Sequence, residues 1–437
     1  MRKTAIAALA FGAAAALALT ACSGGGSAGG DDMVDVDSVD GTGKTITVWV
    51  MNGDLSDDAV AALVDEFEST TGATAKVEMQ QWDGITTKLT TALAGSTPPD
   101  VIDIGNTQVA GYAATGGLAD LTAYRDELAQ GQEWLGGLVD PATIDGKLYA
   151  VPSFAGDRAV IYNKTMWAEA GVTAAPTTFD ELTAALDKVK AANTASDFSA
   201  LYLPGQLWYA GMQFVWDAGG EVAINDGGTW KGGLSSPEAQ KGLMAYRDFQ
   251  NAYSSEASRT VNSNSPDQDA ILANGQAGAI ISTASHLKKV IDAGNLAESD
   301  LGTFPFPGVS GENQPVMLGG SDWGIAQKSD NKDLALAWIK LAAGPSFQAD
   351  HVFGTDGWIP NSVQGIEAAQ TAGVPDQSAA YFTAALRSKA TPAAENWPVV
   401  EGDKTMEQFF QAIATGADPV QTAADADAHI ESVLNGN

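Results

Sequence analysis

Residues Thr45-Ile46-Thr47-Val48-Trp49-Val50-Met51 alternate polar and apolar at first and are apolar thereafter. That pattern predicts a strand whose far half is covered on both faces, as in the sheet of an α/β unit. Asn52-Gly53-Asp54 follows as a turn. From Ser56, a good helix cap, the period changes. Val60, Leu63, Val64 and Phe67 recur at i, i+3, i+4 and i+7, which marks one face of a helix, and Gly72 stops it. The two periods go on alternating. Ala75 to Met79 predicts a strand and Ile85, Leu89 and Leu93 a helix; Val101 to Ile104 is a strand after the break at Pro98-Pro99. Alternating elements on short links predict a mainly parallel, doubly wound sheet. Ligands of such sheets lie beyond the carboxyl ends of the strands. Asn52, Asp54, Trp82, Asn106 and Gln108 fall there or in adjoining loops.

The pattern then breaks. Lys147 to Pro152 is a short strand ended by a proline, and Ser153 to Gly156 is a small-residue link. The charged pair Asp157-Arg158 precedes a second short apolar strand, Ala159 to Tyr162, and a helical segment closed by Gly171. This reads as one folding unit handing over to another. A second α/β unit follows. Thr178-Phe179-Asp180-Glu181 is a capping-box start, and Ser236-Pro237 opens another helix. Gly278 to Ser282 is a strand with Ser285 and His286 just beyond it. The glycine-rich stretch Val316 to Ala326, with Asp322 and Trp323, predicts a second crossing; Gly354 to Pro360, with Trp358, predicts a third. Residues 44–155 and 322–355 are assigned to the first unit, and 156–321 and 356–437 to the second. The expected fold is therefore α/β with two lobes, each a mainly parallel sheet flanked by helices, joined by three hinge crossings.

The first residues carry a different signal. Arg2 and Lys3 precede an apolar run from Ala5 to Leu19, too short to favour a membrane span. The run ends in Leu19-Thr20-Ala21-Cys22, which looks like a bacterial lipobox. Residues 1–21 are then a signal peptide, Cys22 is the lipidated first residue, and the Gly-, Ser- and Asp-rich stretch to 43 is a flexible tether. Cys22 is the chain's single cysteine, which excludes internal disulfides and multi-cysteine metal sites. The formal net charge of −31 opposes nucleic acid and anionic ligands but not a neutral ligand. His286, His351 and His429 are too scattered for a metal cluster, and no cofactor is expected. There is no G-x-S-x-G turn, P-loop or H-E-x-x-H.

Aromatic residues concentrate at strand ends and loops: Trp82, Trp208, Tyr209, Trp323, Trp358 and Trp397. Sugar rings have an apolar face and polar edges, and aromatic rings beside a few polar groups suit them. Asp157-Arg158 would face such a ligand from the crossing. Three readings stay open on the residues alone: a receptor for a neutral sugar, a receptor for a polyamine or other cation suited to the acidic charge, and an extracellular glycoside hydrolase. The last predicts two carboxyl groups opposed across a cleft.

PPDVIDIGNTQVAGYAATGGLADLT, GKLYAVPSFAGDRAVIYNKTMWAEAG, PTTFDEL, GQAGAI, GGSDWGIA and DGWIPN occur in this order from Pro98 to Asn361. In order and spacing the chain resembles the family 1 extracellular solute-binding proteins of carbohydrate ABC importers, from about Lys44 to Leu434. The resemblance implies a monomeric, non-enzymatic receptor. Such a receptor closes two lobes on an oligosaccharide and delivers it to ABC permease subunits, held to the extracellular face of the cytoplasmic membrane by its lipid alone. It also implies a cleft lined by Asn52, Asp54, Trp82, Asn106, Gln108, Asp157, Arg158, Trp208, Tyr209, Ser285, His286, Asp322, Trp323, Trp358 and, more remotely, Trp397. Two departures from the maltose-binding pattern stand out. Thr107-Gln108 replaces a charged pair, and Ser285-His286 replaces an aromatic residue.

Overall fold

The computed structural model describes residues 36–294 and 296–436. Cys22, the leader and most of the expected tether lie outside the described residues. In chain order the first elements are β1 (Thr45–Met51), α1 (Asp57–Thr71), β2 (Thr74–Gln80), α2 (Ile85–Ala94) and β3 (Val101–Gly105). Next, β4 (Ala150–Gly156) runs into β5 (Ala159–Asn163). The second half contains α3 (Phe179–Ala192), α4 (Trp208–Asp217), α5 (Pro237–Tyr253), β6 (Ala279–Ser282), α6 (Ser285–Ala293) and β7 (Leu301–Phe304). The chain ends through β8 (Gly319–Ile325), α7 (Lys332–Ala342), β9 (Ile359–Pro360), α8 (Ala379–Ala385) and α9 (Trp397–Gly402), with two further helices behind them.

The local signals act as their chemistry requires. Ser56 Oγ accepts from the Ala59 N–H at 3.2 Å and starts α1. Thr178 Oγ1 does the same for the Glu181 N–H in α3, and Ser236 Oγ for the Ala239 N–H in α5, with Pro237 in its first turn. The larger sheet has the order β9-β4-β8-β3-β1-β2. β1 is parallel to β2 and β3, whereas β8 is antiparallel to β3 and β4, and β9 is antiparallel to β4. The smaller sheet, β6-β5-β7, corrects the expectation of a mainly parallel second sheet: both of its pairings are antiparallel. Since β6 and β7 both oppose β5, they are parallel to each other, joined through α6. A β-α-β unit is present, but the crossing strand lies between its two strands in the opposite sense.

Each sheet has its own core. On the larger, Val48, Val50, Phe67, Trp323 and Trp338 are buried, with Trp338 edge-on to Phe67 and Trp323 at 5.5 and 6.3 Å. On the other side Trp167, Phe214, Tyr246, Phe410 and Trp397 belong to one buried cluster. The packed first unit begins ahead of the expected boundary at 44. Val36 is buried in the first core, and the Gly41 N–H donates to the Thr71 carbonyl at 2.7 Å. A side chain at Gly41 would meet the Ala73 Cβ at 2.5 Å, so this segment packs closely because the residue is glycine. Chain order and sheet membership put the first crossing at Asp157-Arg158, the only residues between β4 of one sheet and β5 of the other. Ile359-Pro360 belongs to the larger sheet, so the third crossing falls after it and not at 356.

Candidate functional site

Beside the crossings lies a cavity of about 310 Å³. Its wall draws on the turn after β1, the loop after β2, the end of β4, the first crossing, the loop after β6, the start of β8, the β9 approach and α8. Segments far apart in sequence thus meet where the two sheets exchange chain. The volume is at the low end of the ~300–1,000 Å³ of small-molecule sites.

Asp54 organises one end. Ser321 Oγ donates to its Oδ2 at 2.5 Å and Trp82 Nε1 to its Oδ1 at 3.3 Å. Trp358 Nε1 donates to the Asp54 carbonyl at 2.7 Å. One turn residue therefore fixes two indoles from distant segments. Trp82 is 40% exposed, a high value for an indole. Its ring lies over Gly105, where a Cβ would sit 3.4 Å from it. Trp358 is half-buried and packs on Phe154 with centroids 4.8 Å apart.

The crossing forms the opposite wall. Arg158 holds its guanidinium 4.1 Å from the centre of the Tyr209 ring, a cation–π contact. Burial lowers the Arg158 pKa, opposed by Tyr209 and Asp157. Asp157 is 2% exposed, and neither of its carboxyl oxygens has a hydrogen-bond partner. Burial holds its carboxyl well above the usual range, and the neighbouring Arg158 only partly offsets that.

Of the residues singled out from sequence, Asp54, Trp82, Asp157, Arg158, Ser285 and Trp358 line this cavity. The others stand elsewhere. Trp208 is buried in the second core, 6.3 Å from the equally buried Trp397, and serves as the floor on which Tyr209 stacks at 4.0 Å. Trp323 is fully buried against Trp338. These three tryptophans are core residues, a correction to the expected cleft. Asn106 is a second correction: buried, it donates Nδ2 to the carbonyls of Gly137 and Leu318 and ties loops together. Asp322 is a third. It is fully buried within β8, without a partner for either oxygen, and burial raises its pKa well above the usual range. Asn52 is exposed, its Nδ2 donating to Gln81, and Gln108 accepts from the Tyr112 hydroxyl. His286 turns away to Asp269, Nδ1 to Oδ2 at 2.6 Å.

Sequence reasoning missed part of the wall. Ser378, Tyr381 and Phe382, at and within α8, line the cavity, as do Phe154, Thr283 and Ser321. The run Ala379-Ala380-Tyr381-Phe382-Thr383-Ala384-Ala385 reads as an ordinary packed helix, and nothing in it points outward.

The buried acids give the protein a defined pH response. Burial pushes Asp54 up from 3.8 to about 6, against hydrogen bonds from Ser321 and Trp82. Asp103 beside it is also held well above the usual range, by burial first and then by the Asp54 charge. Glu401 on α9, with Thr107 and Glu407 nearby, is pushed by burial from 4.5 to about 7. The folded protein keeps these protons at pH values where the unfolded chain has released them. Between the unfolded and folded values, a window of about 4 to 7, stability therefore falls as pH rises. For Asp54 alone, a move from 3.8 to about 6 corresponds to roughly 3 kcal/mol between its two protonation states. The ligand-free protein is expected to melt at least ~3 °C higher at pH 5 than at pH 7.5. Calorimetry checks this, and a melting temperature that climbs with pH over that range would refute it.

A two-lobed α/β fold with a small cavity at its chain crossings is the architecture of a hinged binding protein. Residues 53–349 match the bacterial extracellular solute-binding proteins, and the chain belongs to that family. It is 36% identical over 395 residues to the diacetylchitobiose binding protein DasA of Streptomyces coelicolor, which covers 90% of this chain and 89% of that protein. In fold it is similar to the sugar-binding protein MalE of Xanthomonas citri, with a TM-score of 0.77 at 22% identity, over 90% of this chain and 98% of that one. MalE of Listeria monocytogenes, solved with maltose, gives a TM-score of 0.76 at 20% identity over the same shares. The family and these relatives are binding proteins. No helix among the described residues is long and apolar enough to cross a membrane.

Proposed function

We propose that this chain captures a short neutral oligosaccharide, with an N-acetylated disaccharide of the chitin type the leading candidate, and delivers it to the permease subunits of an ABC importer. The lobes are those drawn from the sequence, with the first beginning at about Val36 and the third crossing moved beyond Pro360. The chain acts as a monomer at the outer face of the cytoplasmic membrane, held there through a lipid on Cys22. The observation that carries the reading is the cavity. It joins two indoles, a buried carboxyl and a guanidinium in one space. Likeness to DasA over most of both chains directs the choice of sugar.

Capture works by population shift. Contacts made by both lobes at once favour the closed state, and no bond in the ligand is made or broken. Arg158 can offer guanidinium N–H groups to sugar oxygens, since among the described residues no carboxylate lies within ion-pair distance of it. Arg158→Ala is expected to weaken sugar binding by ~10–50-fold, with the melting temperature nearly unchanged.

The test is calorimetric titration with N,N′-diacetylchitobiose, cellobiose, maltose and spermidine. Micromolar or tighter binding of one of the sugars supports the proposal. Silence from every sugar, or binding of spermidine alone, overturns it.

A further inference from the structure

The geometry points to Asp157 and Tyr381 as the pair that reads an acetamido group on the ligand, making the site selective for N-acetylated sugars over sugars of the same skeleton. This inference rests on the sugar-receptor reading above and adds to it the two residues that set the preference.

Consider which hydrogen-bonding groups on the cavity wall are still free. The Asp54 carboxyl is occupied by Ser321 and Trp82, and the Ser321 hydroxyl is thereby used. Thr283 and Ser285 bond each other through their hydroxyls at 3.0 Å. Arg158 and the half-buried Ser378 keep free donors on the wall, but Asp157 and Tyr381 are the fully buried groups left without partners. Both line the cavity, at 2% and 1% exposure. Neither the Asp157 carboxyl oxygens nor the Tyr381 hydroxyl has a partner. Their charges are coupled: Asp157 adds to the effect of burial in holding the Tyr381 hydroxyl protonated. Polar groups desolvated without partners are costly to the unliganded protein. A ligand that supplies the missing bonds removes that cost, and one that does not leaves it standing.

An acetamido group has the matching chemistry. Its amide is planar and trans, so its N–H and C=O point in opposite directions and call for two separate protein groups. One must accept from the N–H, which the Asp157 carboxyl can do. The other must donate to the carbonyl, which the Tyr381 hydroxyl can do. The remaining methyl needs an apolar surface, and Phe154 and Phe382 line the same cavity. A hydroxyl in place of the acetamido group engages one of the two polar residues at most and leaves the apolar surface unfilled. Sites built to hydrogen-bond a ligand group discriminate strongly against analogues lacking it.

The experiment compares N,N′-diacetylchitobiose with cellobiose, which has the same linkage and a hydroxyl at each acetamido position. Both are titrated into the wild type, Tyr381→Phe and Asp157→Leu. The wild type is expected to prefer the acetylated sugar by ~30-fold or more. Tyr381→Phe should lose at least ~10-fold in affinity for the acetylated sugar and clearly less for cellobiose, so that the preference narrows by ~3-fold or more. Asp157→Leu removes the acceptor and should narrow the preference in the same direction. Melting curves accompany each variant; Tyr381→Phe removes an unpartnered hydroxyl and should not lower the melting temperature. An equal affinity of the wild type for both sugars, or a preference unchanged in Tyr381→Phe, overturns this assignment alone. A wild type that binds no sugar overturns the receptor reading and this inference with it.

Discussion

Ile161→Asp should leave a chain that cannot hold its smaller sheet. Ile161 is fully buried at the centre of β5, opposite Ile280 of β6 and Thr303 of β7. It belongs to a buried cluster with Tyr202, Leu272, Val290 and Leu301. Truncating such a side chain alone costs about 2–5 kcal/mol. The introduced carboxyl must also be desolvated with every backbone partner on both sides already taken by the ladders, so it will be protonated or break the pairing. Together these reach the ~5–15 kcal/mol that stabilises a typical protein. β5 is the only strand linking β6 and β7, so nothing else in that sheet takes over its role. The expected result is loss of near-ultraviolet circular dichroism and of the cooperative melt. A variant that melts within ~3 °C of the wild type would show that β5 is not the centre of this core.

The position of β5 was legible in the sequence; its neighbours were not. A short apolar run between a charged pair and a capped helix announces a strand. The direction of its partners depends on pairings more than a hundred residues away, and period-two patterning is the same for parallel and antiparallel ladders. Elements set by local chemistry, such as the Ser56, Thr178 and Ser236 caps, could be read directly. So could the crossing at Asp157-Arg158, because a charged pair suits neither sheet interior; the expected strand end at Pro152 is corrected, since Pro152 to Gly156 continue β4 between β8 and β9. The site was legible only in part, and the limit has a physical cause. Ser321 and Trp323 lie on the same face of β8, opposite Gly105 and Asp103 of β3. Ser321 is at the strand end and reaches the cavity, whereas Trp323, two residues further in, lies beneath the sheet on Trp338. Sequence gives the face but not the depth. Tyr381 shows the converse. Its helix pattern is that of a core residue, and it is buried, but the position it is buried against is a cavity.

Trp358→Ala should remove most of the affinity for a sugar and little of the fold. The indole is half-buried, its Nε1 donates 2.7 Å to the Asp54 carbonyl, and its ring rests on Phe154. It is thus pre-oriented, so a sugar ring meeting its face gains contact area without the cost of ordering the side chain. Aromatic anchors of this kind are typically worth 2 kcal/mol or more in alanine substitution, so the dissociation constant should rise by about 30-fold or more. Trp323→Ala is the informative contrast. That ring is fully enclosed, and its loss should cost about 3–5 kcal/mol of stability; the folded fraction should bind within ~3-fold of wild type, because Trp323 is not part of the cavity wall. Titration and thermal melting of the two variants separate the two roles. If Trp358→Ala bound as tightly as wild type while Trp323→Ala lost affinity without losing stability, the ligand would lie further along β8, at Trp323, and the cavity described here would not be its site.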